Sequence, residues 1–235
     1  MYLIFDTETT GLPRNYNAPI SDSANWPRAV QIAWQLHDQW GELIEHQDFL
    51  IAPDGFDVPY DAEKIHGIST LLAEKEGVPI AEVFKAFNEA LSKAKYIVGQ
   101  NIGFDINIMG AEFYRYGVES PLTTMPVLDT CTEVTANLCR IEGGKGGRYK
   151  LPTLTELHSF LFGVPFAEAH NATADVEATT RCFFELMRRN EGFKEGTFSS
   201  TYIADFQAHH PAPIALIGLK HLNLKEASDA LRQSR

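Results

Sequence analysis

The stretch that most constrains this chain is its first: the apolar run Tyr2-Leu3-Ile4-Phe5 leads directly into Asp6-Thr7-Glu8-Thr9-Thr10-Gly11-Leu12. The run reads as a strand over Tyr2 to Glu8, and side chains at i and i+2 of a strand project from one face. Asp6 and Glu8 therefore stand side by side at its end. Two carboxylates held that close repel one another, a cost that makes sense when divalent cations sit between them.

The pattern that follows is strands first, then alternating helix and strand. Leu12 to Arg28 contains Pro13, Pro19 and Pro27 among Asn, Ser and Asp, which predicts a long loop. Ala29 to Leu36 and Leu43 to Ile51 predict a hairpin around Asp38-Gln39-Trp40-Gly41. A helical segment is expected over Pro59 to Gly67, and Pro79 to Lys93 places Ile80, Val83, Phe84, Phe87 and Leu91 on one helical face. Tyr96 to Gly99 reads as a short buried strand, Val127 to Thr130 as the last strand, and Asp105 to Tyr116 as a helix between them. Pro152 to Phe162 and Ala174 to Arg189 read as closing helices. Three strands followed by βα units predict an α/β fold with a mixed sheet flanked by helices.

Two further segments carry chemistry-bearing residues: Val98-Gly99-Gln100-Asn101-Ile102-Gly103-Phe104-Asp105 and His170-Asn171-Ala172-Thr173-Ala174-Asp175. With DTETTGL they supply four carboxylates and one histidine, in the order and context of three motifs. On these strings the chain resembles the DEDD-type 3′→5′ exonucleases of the proofreading epsilon-subunit-like kind, with a histidine in the third motif. The tyrosine branch of that superfamily is excluded, because the position four before Asp175 is Asn171. One departure is visible: Gln100 stands where many relatives carry histidine, while Asn101, Phe104 and Asp105 match.

The resemblance implies a ribonuclease-H-like fold with a five-stranded sheet and two Mg²⁺ or Mn²⁺ ions. It implies that Asp6 bridges both ions, with Glu8 and Asp175 at the nucleophile-side ion. Asp105 would hold the leaving-group-side ion largely through water, and His170 would be the general base. It further implies that Thr9, Leu12 and His66 meet the terminal nucleotide. Each residue also has a plainer reading. Asp105 alone would be a helix cap, His66 before Gly67 a helix-end histidine, Leu12 a core leucine, and His170 a loop histidine. The substrate implied is a single-stranded DNA 3′ end, with proofreading beside a DNA polymerase subunit as one role. Trimming of RNA 3′ ends uses the same five residues and stays open. An inactive binding module would show lost ligands, and none is lost.

Bulk properties agree with these readings. With 235 residues the chain is long enough for a sizeable core. A net charge of −11 argues against a charge-driven grip on long nucleic acid. Cys131, Cys139 and Cys182 show no metal-binding spacing and suit reduced thiols in a cytoplasm. No membrane-length apolar stretch occurs, and no basic segment precedes the first strand, so neither a span nor a secretory signal is expected. The exonuclease domain is expected over residues 1–190, with 191–235 as a C-terminal extension packed upon it. The glycine-rich segment Glu142 to Lys150 carries three cations but is no P-loop, since Gly146 follows Lys145 and no strand precedes it.

Overall fold

The computed structural model describes residues 1–166 and 171–189. Five strands, β1 (Tyr2–Thr9), β2 (Ala29–His37), β3 (Leu43–Leu50), β4 (Tyr96–Gly99) and β5 (Val127–Asp129), form one sheet in the order β3-β2-β1-β4-β5. The hairpin pairs antiparallel with β1, whereas β4 and β5 run parallel to it. This is the expected mixed five-stranded sheet.

The alternation along β1 decides what lies on each side. Leu3 and Phe5 point into a core formed with α3 (Ile80–Lys93) and α4 (Gly103–Arg115), where Phe87 meets both Phe5 and Trp34 at ring distances of 5.0 and 5.3 Å. Tyr2 and Ile4 point the other way, against Val176 and Phe183 of α7 (Ala172–Arg188). Both faces of β1 are covered, as a central strand in an α/β sheet requires. The five apolar residues assigned to one face of α3 are all buried.

Several boundaries shift from the sequence reading. The helix before Gly67 is α1 (Tyr60–His66), closed by Gly67 at φ 78°, a left-handed cap that glycine adopts without strain. Helix α4 starts two residues before Asp105, α7 two before Ala174, and α6 (Leu154–Phe162) behind a Thr153–Glu156 capping box. Two helices of seven residues were absent from the sequence reading: α2 (Thr70–Glu76) and α5 (Glu133–Cys139), each announced mainly by its capping Ser69 or Thr132.

The long loop after β1 is strapped to α4. Glu112 is fully buried and accepts from Arg28 Nε and the Ala29 N–H at 2.9 and 3.0 Å, with Arg115 Nη1 also 3.0 Å away. Arg115 in turn donates to the carbonyls of Ser23 and Trp26. Among the described residues no helix is long and apolar enough to cross a membrane. The expected C-terminal extension, residues 191–235, lies outside the described residues, as does His170.

Candidate active site

The period of β1 that sends Tyr2 and Ile4 towards α7 sends Asp6 and Glu8 the same way, beyond the end of the apolar contact. Asp175 sits in the first turn of α7, behind an Asn171 cap whose side chain accepts the Ala174 N–H at 3.2 Å. One oxygen each of Asp6, Glu8 and Asp175 lies within 4.8 Å of the others. The start of α7 is fixed to the sheet through two residues outside the motifs, Asp48 and Gln31: Thr173 Oγ1 donates to Asp48 at 2.6 Å, and Gln31 Nε2 donates to the same carboxylate at 2.8 Å.

Asp105 comes to the site from the other side of the sheet. Thr7, between Asp6 and Glu8, faces α4, and both its backbone N–H and its hydroxyl donate to Asp105 Oδ1 at 3.0 and 2.6 Å. The first turn of α4 is itself held by Asp129. This fully buried acid at the end of β5 accepts the N–H groups of Asn101 and Cys131, both at 2.8 Å. Asn101 takes a left-handed conformation, φ 56°, which turns the chain from β4 into α4. Gln100 is engaged in hydrogen bonds outside the acid cluster. It donates to the Pro152 carbonyl at 2.8 Å and accepts from Thr130, so its replacement of histidine costs the site no ligand.

The electrostatics are those of acids crowded out of water. Burial first, then Asp105, Asp175 and Glu8, raises Asp6 well above the ordinary carboxylate range. Burial, Asp175 and Asp105 push Glu8 up to about 8. Burial also raises Asp105, to about 7, against the opposing effect of the two Thr7 hydrogen bonds, with Asp129 adding to the rise. Without positive charge such a group holds protons at neutral pH. An all-carboxylate donor set with three oxygens this close fits a divalent cation that accepts oxygen ligands, not a soft metal.

The residues expected at the substrate end are arranged unequally. Thr9 is buried, and its hydroxyl donates to the Gly11 carbonyl at 2.7 Å. Leu12 is 74% exposed, which removes the core-leucine reading. His66 is both the last residue of α1 and a neighbour of Thr9. Its Nδ1 accepts the Ile68 N–H at 3.1 Å, burial lowers its pKa, and the Thr9 backbone opposes that shift. His170 lies outside the described residues, so its distance to Asp175 is not part of this geometry.

Thr7, Gln31, Asp48 and Asp129 were missed by the sequence reading. Asp129 had a signal, since Val127-Leu128-Asp129 repeats the apolar strand ending in an acid seen at Asp6. The other three are recognisable only through partners far along the chain.

A mixed sheet carrying ordered acidic motifs at the ends of its strands and helices is the architecture of a nuclease. A family model described as Exonuclease (RNase_T) matches residues 3–183, and the chain belongs to that family. DNA polymerase III PolC-type of Streptococcus thermophilus is 31% identical over 187 residues, which is 80% of this chain and 11% of that protein. The same enzyme from Pediococcus pentosaceus is 30% identical over 193 residues, covering 82% of this chain and 12% of that protein. The chain thus spans about a ninth of the length of these relatives. E. coli exonuclease I, solved in complex with a dT13 oligonucleotide, shares the fold with a TM-score of 0.64 at 23% identity, over 88% of this chain and 44% of that one.

Proposed function

We propose that the chain is a divalent-metal-dependent 3′→5′ exonuclease that releases nucleoside 5′-monophosphates from single-stranded DNA ends. The observation that carries this reading is the convergence of Asp6, Glu8 and Asp175 within 4.8 Å; Asp105 stands outside that group, held by Thr7 and near enough for its charge to raise Asp6. The matched relatives are DNA polymerases, and the matched structure holds an oligonucleotide of deoxynucleotides. Both favour DNA over RNA.

Two Mg²⁺ or Mn²⁺ ions, when bound, would supply Lewis-acid stabilisation of the charge that develops on the phosphate and leaving oxygens. Asp6, Glu8 and Asp175 would hold them, with Asp105 as a further acid near Asp6. His170 would take the proton from the attacking water, a task suited to an imidazole with an ordinary pKa near 6.5. The backbone around Thr9 would receive the 3′ hydroxyl, exposed Leu12 would wedge against the last base, and His66 would line the terminal nucleotide. Proofreading beside a DNA polymerase in the cytoplasm is the cellular role this reading names.

The test uses matched DNA and RNA oligomers of one sequence, labelled at either end, with Mn²⁺ or with chelator. Stepwise loss of mononucleotides from the DNA 3′ end, abolished by chelator, is the expected result. Faster degradation of the RNA would replace DNA as the substrate. Cleavage of a circular single strand would replace exonuclease by endonuclease.

A further inference from the structure

Away from the carboxylates, a cleft of about 430 Å³ opens between α5 and the loop that leads to α6. Glu133, Asn137, Lys145, Arg148, Tyr149 and Leu151 line it. The chain carries a net charge of −11, yet residues 140 to 150 hold Arg140, Lys145, Arg148 and Lys150 against the single acid Glu142. With Glu133 and Glu156, which flank the loop, the cleft region keeps a small positive excess on an otherwise acidic molecule.

The loop is a built turn. The Lys150 N–H donates to the Ile141 carbonyl at 2.8 Å and closes it into a ring, with a 3-10 turn at Lys145–Gly147. Gly144 runs so close under the far limb that a Cβ there would strike the carbonyl oxygens of Arg148 and Tyr149. The ring therefore presents its cations from a fixed backbone, which lowers the ordering cost of binding. Arg148 pairs with Glu133, both about three-quarters exposed, and Lys150 pairs with Glu156 at 2.6 Å. Exposed pairs of this kind contribute little and exchange a carboxylate for a phosphate readily. Lys145 has no ion-pair partner among the described residues. Tyr149 and Leu151 are 41% and 43% exposed, so an aromatic face and an apolar side chain stand among the cations. Cationic groove and exposed aromatic together are the ingredients of single-strand binding.

Placement supports the same use. Strands β4 and β5 run parallel to β1 and end at the sheet edge where Asp6 and Glu8 stand. The loop is anchored at that edge, where the Pro152 carbonyl accepts from Gln100, the residue that follows β4.

We propose that this cleft is a second nucleic-acid subsite. It holds the strand upstream of its 3′ end, through phosphate contacts to Lys145, Arg148 and Lys150 and a base stacked on Tyr149. The inference rests on the exonuclease reading for the direction of the strand.

The test measures fluorescence anisotropy of labelled oligothymidylates in an Asp6→Asn background, which keeps the strand intact. One oligomer has about 20 nucleotides, longer than a single site, and one about 3. Lys145→Ala with Arg148→Ala should weaken the long oligomer by tenfold or more and lower its salt slope by about 0.7 per lost phosphate contact. Tyr149→Ala should weaken it by about five- to a hundredfold, the range of one stacked base, while Tyr149→Phe keeps wild-type affinity. Affinity for the short oligomer should not move. Unchanged affinity for the long oligomer, or equal loss on both lengths, overturns the subsite. Tighter binding of a duplex than of the strand overturns its single-strand assignment. With Asp6 intact, a chain that binds the long oligomer through the cleft but releases no mononucleotide would sink the exonuclease reading alone. A chain that cuts, with cleft variants that bind normally, would sink the cleft alone.

Discussion

Thr7 gives both of its donors to one oxygen of Asp105, across 98 residues of sequence, at 3.0 and 2.6 Å. The two hydrogen bonds favour the ionised carboxylate and oppose the effect of burial, which still leaves Asp105 at about 7. Thr7 thus ties a metal-ligand candidate on one side of the sheet to the pair Asp6 and Glu8 on the other.

Replacing Thr7 with Val removes the hydroxyl and keeps the shape. Asp105 should then titrate higher, so that less of it is ionised at neutral pH, and the rise of activity with pH should move upward. Mn²⁺ affinity near neutrality should fall by about tenfold, the scale of one hydrogen bond to a charged group. Thr7→Ser should restore both. Calorimetric Mn²⁺ titrations across pH, beside the rate profile, check the pair of effects, and a Val variant with unchanged metal affinity would show Thr7 to be ordinary packing.

The crowded acids make metal-free stability fall with pH. Glu8 and Asp105 have folded values of about 8 and about 7, above the ordinary 4.5 and 3.8, so the folded state holds protons that the unfolded chain has released. Their contribution is fully present below about pH 4 and is lost as pH rises through about 7 to 8. In chelator, the melting temperature should therefore drop between about pH 5 and pH 8.5, and Mn²⁺ should restore it most at the alkaline end. Asp6→Asn should flatten the metal-free slope while lowering turnover by about a thousandfold, the scale of several kcal/mol of lost charge stabilisation. A melting profile in chelator that rises with pH would contradict this account.

His170→Ala separates proton transfer from metal binding. Single-turnover rate should fall by roughly 10²–10⁴-fold, the usual contribution of a positioned acid–base group. Mn²⁺ binding should persist, because the four carboxylates remain. Loss of both, or of neither, would remove the general-base role.

Glu112 predicts a stability effect remote from the acids. It is fully buried between Arg28 and Arg115, so Glu112→Ala strands two guanidinium groups and should cost about 3–5 kcal/mol in denaturant unfolding. The loop from Thr10 to Arg28 carries Leu12, and loosening its strap should also raise KM more than it lowers kcat. A variant as stable as the wild type would mean that solvent already screens the pair.

The sequence exposed what is local and strong. The apolar strand ending in Asp6 and Glu8, the buried face of α3 and the helix that carries Asp175 are each written within a few residues, and each is present, the helix beginning two residues before its expected start. The helices α2 and α5 were illegible because seven residues make too few turns for a periodic face to emerge, and no proline opens them as Pro59 opens the equally short α1. The helical spacing placed Glu112 among Ile108, Met109 and Phe113, but its burial depends on two arginines, one of them 84 residues away. Thr7 and Asp48 hide for the same reason, since nothing near them in sequence names the side chain they hold. Leu12 was ambiguous between core and wedge, and its exposure removes only the core reading.

Asp6, Glu8 and Asp175 hang on one face of β1, while Thr7 and Asp105 meet on the other. The sheet is therefore stitched through, and neither helical layer alone completes the set. A chain that stops before residue 171 keeps all five strands yet lacks Asp175 and the helix that carries it. On the exonuclease reading proposed above, such an unfinished molecule would hold the whole sheet but only two of the three converging acids, and cutting would wait for the last described helix.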